Sequence, residues 1–356
     1  MFDDLFYQIG QGEIFVKSGG MQHERMITDF FLSVLINLGF ETHDPAQRVW
    51  KKQNRVAIVC LADDFFVCGA NVHRSPHKWF NKDTVIITDN HISVPTEYQV
   101  CEFPVTYFGI YSYQPCNQNY QPQRRLHWSI NRLDCQRLLI FLELVRQCKD
   151  VNSLLSNDYI NYNAWDAQGS NINQQNVQNN FKKYFNQLDP GLVNCYMEYL
   201  ESVGNLLPIR NHQESIEEIN TKVWLCPVVE TYSGNTTMAF SEKIFRALQT
   251  PVPWTLFSTT GAVAYLSLLG FDTLSDLVDH GYNAVSQDPP NGVEKITAFV
   301  TASIKTTEVL QGMDFGLVQK RCMQAAAHNQ QLLATWRLKW PKDFADWLPQ
   351  VIEKLI

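Results

Sequence analysis

Short apolar stretches alternate along this chain with segments in which apolar residues recur every three to four positions. Apolar residues follow that helical spacing from Met26 to Leu38, and Gly39 ends the segment. Runs rich in β-branched residues follow over 55–62 and 84–88, which is typical of buried strands. Strand and helix in alternation predict an α/β fold with a largely parallel sheet.

The same alternation returns in the second half of the chain. The predicted elements are a strand over 126–130, a helix over 134–148, a strand over 222–230, a helix over 242–249 that Ser241 caps, a strand over 254–257, helices over 262–269 and 275–279, and a helical tail from 293 to about 338. Pro227 suggests that its strand is an edge strand or contains a bulge.

The chain has 356 residues, enough for two domains with separate cores. A polar, proline-containing segment over 111–123 predicts a linker or an exposed loop. We expect a first domain over 1–122, a second over 123–315, and C-terminal helices over 316–356 that pack back on the first domain.

Charge and hydropathy limit the partners. With 29 Lys and Arg against 36 Asp and Glu, the formal charge is −7, which disfavours general coating of nucleic acid but not a local basic groove. Apolar runs such as 56–62 are far shorter than the about 18 residues of a membrane span. Acidic residues in 1–5 are unlike a signal peptide, so we expect a cytoplasmic protein, in the host cytoplasm if it is viral.

The turn Ser241-Glu242-Lys243 is the most informative candidate site. A helix N-terminus attracts anions, and a lysine in its first turn is electrostatically misplaced unless an anion binds there. Glu242 is placed to accept hydrogen bonds from ribose hydroxyls. The alternative is an ordinary surface pair of charges.

Several residues in this region carry a resemblance. Glu230, Phe240-Ser241-Glu242-Lys243, Ala247-Leu248 and Pro253 occur in an order that resembles the donor-binding signature of α-1,3-fucosyltransferase-like glycosyltransferases. The continuation over 268–282 is similar to uncharacterised phage and bacterial proteins related to that group. The resemblance covers about 126–285, and Thr231 departs from it by replacing the asparagine that follows the first glutamate.

The resemblance implies a GT-B-like fold, in which two Rossmann-like α/β domains face a cleft and C-terminal helices follow. The first domain would bind the acceptor and the second a GDP- or UDP-linked sugar, which is a substrate, with no further cofactor. In this family an arginine early in the helix after the first strand of the second domain reaches the donor phosphates. Arg137 matches that position best, with Arg132 in reserve, and a solvated helix charge is the alternative for either.

The resemblance also implies transfer without a metal ion, in which Arg137 and Lys243 neutralise the diphosphate. The sequence has no Asp-x-Asp triplet that would hold a divalent ion. An inverting transfer needs a base that takes the proton of the acceptor hydroxyl. Asp63 and Asp64, which follow the strongest predicted strand, are the preferred candidates. The others are Asp89, His91 and Glu102.

Two alternatives stay open. The acceptor is a glycan or a small molecule in the leading interpretation and a modified base in DNA in the first alternative. That alternative requires a basic stripe drawn from Lys51, Lys52, Arg55, Arg74 and Lys78. The second alternative is a non-catalytic relative that keeps the fold as a binding or scaffold protein.

Overall fold

The structure is a computed structural model. It describes residues 31–44, 49–60, 83–88, 91–92, 99–102, 120–130, 135–148, 159–162, 220–230, 237–238, 240–285 and 292–356. Contacts between Cα atoms divide the chain into two compact units. The first unit consists of Met1–Tyr113, Tyr232–Phe245 and Gln330–Ile356, and the second consists of Gln114–Thr231 and Arg246–Asn329. Both contain sheets and helices, so the protein is of the mixed α/β class.

The first unit contains a five-stranded sheet in the order β1-β2-β3-β4-β6 and a two-stranded ladder of β5 with β10. The strands are β1 Glu41–Asp44, β2 Val49–Lys52, β3 Arg55–Cys60, β4 Thr84–Thr88, β5 His91–Ile92, β6 Gln99–Glu102 and β10 Thr237–Met238. Strands β3, β4 and β6 are parallel, as predicted, whereas β1 and β2 add antiparallel pairs.

A tight hairpin joins β2 to β3. Lys52 is the register partner of Arg55, so Gln53 and Asn54 alone form the loop. Gln53 has a φ of 54°, the left-handed backbone that such loops require. Because neither loop residue is a glycine, the usual turn signal is missing, and the sequence did not predict this hairpin.

The core of the first unit combines its sheet with two helical segments, residues 31–37 (α1) and the C-terminal half of α6 (Phe315–Leu355). The buried apolar residues are Phe31, Leu35, Phe40, Trp50, Ala57, Val59, Val85, Ile87, Cys101, Phe344, Leu348, Val351 and Leu355. The Phe31 ring meets those of Phe344 and Trp347 edge-on, with ring centres 6.1 and 6.0 Å away. The last helix therefore supplies part of this core.

The second unit contains a four-stranded, wholly parallel sheet in the order β11-β9-β7-β8. Its elements are β7 Arg124–Ile130, α2 Cys135–Cys148, β8 Tyr159–Tyr162, β9 Val223–Val229, β11 Trp254–Phe257, α4 Ala262–Leu268, a 3-10 helix Gly281–Ala284 and α5 Gly292–Gly312. Helix α3, Glu242–Gln249, connects β9 to β11 and has residues in both units. The bounds of β7, α2, β9, α3, β11 and α4 agree closely with the predicted elements, whereas β8 and the 3-10 helix were not predicted. The helical tail predicted from 293 to about 338 consists of two helices, α5 and α6, and the second continues to Leu355.

Pro227 lies in an interior strand and not at an edge, because β9 pairs with β11 on one side and with β7 on the other. The amides of Cys226 and Glu230 donate to the carbonyls of Pro253 and Phe257 in and beside β11. Backbone amides along a strand face its two neighbouring strands alternately, so the backbone nitrogen of residue 227 faces β7. The register with β7 ends at Leu225, so the missing N–H of proline costs no described ladder bond.

The short helix predicted over 275–279 is wrong. Leu274 has a φ of 58°, and the amides of Leu277 and Val278 both donate to its carbonyl. Asp272 accepts a hydrogen bond from the Leu274 amide at 3.0 Å. A left-handed residue at the start does not propagate a helix, so the segment forms turns.

Helix α5 packs on one face of the second sheet. The Phe299 ring lies 5.8 Å from that of Trp128, 5.3 Å from that of Phe257 and 5.4 Å from that of Tyr282, measured between ring centres. Gln147 of α2 donates to Thr301 of α5 at 2.9 Å, so the two helices share that face. No helix in the described part of the chain has the length and apolar character needed to cross a membrane.

Replacement of Phe344 by alanine should destabilise the first unit. The ring is fully buried, and its loss leaves a cavity that costs about 3–5 kcal/mol of unfolding free energy. Urea denaturation measures the change. Leu338→Ala on the same helix is the control, because that side chain is 84% exposed and should matter little. Equal effects of the two substitutions would contradict the packing described.

Candidate functional site

The order of strands reverses in the second sheet between β7 and β9. From β7 the chain crosses to β8 on one side, and it later returns as β9 on the other side of β7. Parallel α/β sheets bind ligands at the carboxyl ends of the strands where such a reversal occurs. We call the carboxyl ends of β7, β9 and β11, with the residues that directly follow them, the carboxyl edge.

Arg137 belongs to the carboxyl edge because it is the third residue of α2, the helix that follows β7. Its side chain is only 4% exposed, so the alternative of a solvated helix charge is wrong. A guanidinium cannot lose its proton in a protein, and its burial is costly unless anionic or polar groups compensate it. The chain therefore keeps a permanent positive charge at this end of the sheet.

Glu230 directly follows β9 and is 2% exposed. Its amide donates to the Phe257 carbonyl at 2.9 Å, which extends the pairing of β9 with β11 by one residue. The carboxyl edge thus carries Arg137 after β7 and Glu230 after β9. The sequence had singled out both residues for donor binding, and the topology brings them to one edge of one sheet.

The third part of the carboxyl edge is the loop after β11, which is anchored by a buried lysine of α5. The Lys295 Nζ donates to the Ser258 carbonyl at 2.6 Å and to the Thr260 hydroxyl at 3.3 Å, and it lies 5.7 Å from the centre of the Phe257 ring. The Lys295 side chain is fully buried, and burial lowers its pKa from 10.5 to about 7.

Sequence reasoning missed Lys295. The sequence spacing did indicate that Lys295 lies on the buried face of α5, because it comes four residues before Phe299. The 0% exposure of this residue could not be inferred, because a lysine near a helix end normally reaches water along its flexible stem.

On the outer side of β11, three hydrogen bonds link four polar groups in a chain. The Leu256 amide, which points away from β9, donates to the Tyr282 hydroxyl at 2.7 Å. The His280 Nε2 lies 2.8 Å from the Thr273 carbonyl, which can only accept, so Nε2 carries the proton. Burial lowers the pKa of His280 and keeps it neutral; the Tyr282 hydroxyl therefore donates to Nδ1 at 3.0 Å. These contacts explain His280 and Tyr282 as structural residues.

The structure confirms Ser241 as the N-cap of α3. Its hydroxyl accepts from the Lys243 amide at 3.3 Å and from the Lys243 Nζ at 3.2 Å. The ammonium group is thus folded back over the first turn that Glu242 begins. These three residues are counted with the first unit, whereas Arg137 and Glu230 are counted with the second.

Several predicted site residues lie outside the described residues. They are Asp63, Asp64, Arg132, Asp89, Arg74 and Lys78. Of the other candidate bases, Glu102 is the last residue of β6 and His91 is the first of β5.

Two of the three described members of the proposed basic stripe, Lys52 and Arg55, have structural partners, whereas the third, Lys51 of β2, is exposed. The Lys52 Nζ donates to the Leu38 carbonyl at 2.6 Å, just after α1, and the Arg55 Nη1 donates to the Lys354 carbonyl at 3.4 Å near the end of α6. Cations at helix C-termini satisfy carbonyls that lack a helical partner. These contacts account for both residues without a nucleic acid.

The buried thiols and the candidate metal ligands give no further site in the described ranges. Cys101, Cys226 and Cys322 are buried and free, and burial raises the pKa of each, to about 12 for Cys226 and Cys322. Such thiols are protonated and unreactive at neutral pH. The described residues contain no group of three or more His, Cys, Asp or Glu placed to hold a metal ion.

No family model matches the chain, and neither does any curated protein. A solved structure titled as that of the DNA modifying enzyme beta-glucosyltransferase, in the presence and absence of the substrate uridine diphosphoglucose, is similar at a TM-score of 0.40 and 11% identity. The match covers 83% of this chain and 74% of that one. This similarity is too low to transfer a fold or an activity.

Lys295 should make stability depend on pH. Between about pH 7 and pH 10 the unfolded chain binds a proton that the folded chain does not, so the unfolding free energy rises by up to about 1.4 kcal/mol per pH unit. Lys295→Met should remove this rise. Urea denaturation at about pH 7.5 and about pH 9.5 measures it.

The control for this prediction is Lys305→Met, which removes an exposed lysine from the same helix and should keep the wild-type pH dependence. If Lys295→Met and the wild type had the same pH dependence, Lys295 would not be the titrating group.

Proposed function

We propose that this protein is a glycosyltransferase that moves a sugar from a nucleotide diphosphate sugar to a hydroxyl acceptor. The observation that carries the proposal is the carboxyl edge of the second sheet, where the strand order reverses and where Arg137 and Glu230 are both held. The family resemblance of the same stretch of sequence supports it independently.

The two buried charges suit two parts of such a donor. A guanidinium binds phosphate oxygens through paired hydrogen bonds, so Arg137 is proposed to hold the diphosphate, with Arg132 in reserve. The Glu230 carboxylate only accepts hydrogen bonds and repels phosphate, so it favours the hydroxyl groups of the donor. A fixed cation beside the diphosphate stabilises the leaving group, which is why we propose that no metal ion is needed.

Ser241, Glu242 and Lys243 remain a separate prediction from the resemblance. The contact of Lys243 with the Ser241 hydroxyl keeps its ammonium group at the N-terminus of α3. The positive end of the helix dipole repels that ammonium group, so a bound anion would be a favourable further partner. Glu242 is proposed to accept from ribose hydroxyls.

The proposed reaction is an inverting displacement. Asp63 or Asp64 takes the proton of the acceptor hydroxyl, whose oxygen forms the new bond to the anomeric carbon. The bond from that carbon to the diphosphate breaks, and its electron pair leaves with the nucleoside diphosphate. The GT-B arrangement, with acceptor binding by the first domain and donor binding by the second, belongs to this proposal, as does the choice of GDP or UDP.

The proposal leaves the acceptor as a glycan, a small molecule or a modified base in DNA. The contacts of Lys52 and Arg55 with helix ends do not favour the DNA acceptor. A non-catalytic binding protein is the remaining alternative, since Thr231 departs from the family signature.

Arg137→Lys should weaken nucleotide binding about tenfold, because a lysine keeps the charge but loses the paired donors. A thermal-shift titration with UDP and GDP measures this. For the wild type, a ligand at a hundred times its dissociation constant should add about 2.7 kcal/mol of stability.

Arg146→Lys is the matched control on the same helix, because Arg146 pairs with Glu143 through its Nε at 2.8 Å and lies in the last turn. It should bind nucleotides as the wild type does. A wild type that shows no shift with any nucleoside diphosphate would reject the proposed function.

Asp63→Asn or Asp64→Asn should slow hydrolysis of the cognate UDP- or GDP-sugar, with water as acceptor, by about 10²–10⁴-fold. The affinity for the nucleotide should stay unchanged, because the base acts on the acceptor. Lys243→Ala should abolish turnover through loss of donor binding. Binding without any turnover in the wild type would favour the non-catalytic alternative.

A further inference from the structure

Lys295 is a buried cation for which the described residues provide no anionic partner. Its hydrogen bonds go to a carbonyl and a hydroxyl, and its remaining close contact is the Phe257 ring. The elements that pack against α5 include α2, β7, β9, β11 and the 3-10 helix. The ionisable groups in and beside these elements whose side chains the structure describes, together with the neighbour Glu294 on α5 itself, are Arg124, Arg125, His127, Arg137, Glu143, Arg146, Cys148, Lys222, Cys226, Glu230, Asp279, His280, Tyr282 and Glu294. None of them is a cause of the shifted pKa of Lys295, which burial alone lowers.

Such an arrangement is costly in the free protein. Removing an ammonium from water without a counter-charge is unfavourable, and the group responds by giving up its proton. An anchor for the Ser258 carbonyl does not need this cost, because an amide side chain donates the same hydrogen bond at no charge. We therefore expect the positive charge of Lys295 to have a function of its own.

The position of Lys295 indicates that role. It holds Ser258 and Thr260, which directly follow β11 at the carboxyl edge, and Ser258 comes one residue after the carbonyl that accepts from the Glu230 amide. A charge in this water-poor place acts on a bound anion with little screening.

We propose that Lys295 gives positive charge to the diphosphate of a nucleotide bound at the carboxyl edge, and that it takes up a proton from solvent when the nucleotide binds. This inference rests on the proposed function and adds a residue to its donor site. Lys295 acts through the field at the edge and through the loop that it anchors, so it is a positioning residue.

Proton uptake distinguishes this role from a purely structural one. At about pH 8 the terminal phosphate of a free nucleoside diphosphate is already ionised, since its last pKa is about 6. His280 is neutral there, because burial lowers its pKa. A proton that the wild type takes up at that pH on addition of nucleotide, and that Lys295→Met does not take up, is therefore assigned to Lys295, whose pKa in the free protein is about 7.

The experiment is isothermal titration of the full chain with UDP and with GDP at about pH 8, in two buffers that differ in ionisation enthalpy. The wild type should take up close to one proton per nucleotide. Its affinity should fall by up to about tenfold per pH unit above that point. Binding without proton uptake by the wild type would overturn the inference and leave the proposed function standing.

Two variants and one control separate charge from anchoring. Lys295→Met should bind about tenfold more weakly with no proton uptake, and Lys295→Arg, which stays charged at every pH, should bind without uptake and without pH dependence. Lys305→Met should match the wild type in both measurements. Proton uptake retained in Lys295→Met would overturn the inference, and a wild type that binds no nucleotide would overturn the proposed function with it.

Discussion

The position of β9 between β7 and β11 is the constraint on which the carboxyl edge depends. The strand order reverses beside β7 because β9 lies on the opposite side of β7 from β8, and the pairing of β9 with β11 brings Glu230 next to the last carbonyl of β11. The same position requires an interior strand to tolerate Pro227. The strand does so because the residue that lacks an N–H faces β7 beyond the end of their register. The proline in β9 therefore lies where the described pairing of β9 with β7 has already ended, so its missing N–H removes no hydrogen bond of that pairing.

Three buried ionisable side chains lie at that edge, and each is held differently. Arg137 cannot lose its proton, Glu230 has its backbone fixed by the ladder to β11, and Lys295 reduces its cost by releasing a proton. A core built only for stability would place apolar side chains at these positions. Buried ionisable side chains of this kind are concentrated at functional sites.

The sequence predicted β7, β9 and β11 of the second unit and the capped helix α3 well, because these elements carry clear apolar runs and a clear N-cap, but it did not predict β8. It failed at two turns and at the buried ionisable residues. The hairpin at Gln53 depends on a left-handed backbone at a non-glycine residue, and the left-handed Leu274 prevents a helix from starting in the segment that follows it. Arg137 and Glu230 could be named from the resemblance, but their burial depends on the packing of distant segments. Lys295 could not be named, since spacing alone does not reveal a lysine without water.

The two tasks of Lys295 are separable because of the number of its protons. A neutral amine has two N–H groups, and the described structure offers two oxygen acceptors, on Ser258 and Thr260. Anchoring of the loop therefore continues after the proton has left, and the third proton of the ammonium has only the face of the Phe257 ring. Loss of the charge leaves the edge intact in the free protein, and an arriving anion restores the charge without rebuilding the loop. Two protons of the Lys295 amine thus hold the loop, and the third proton carries the charge that acts on a bound anion.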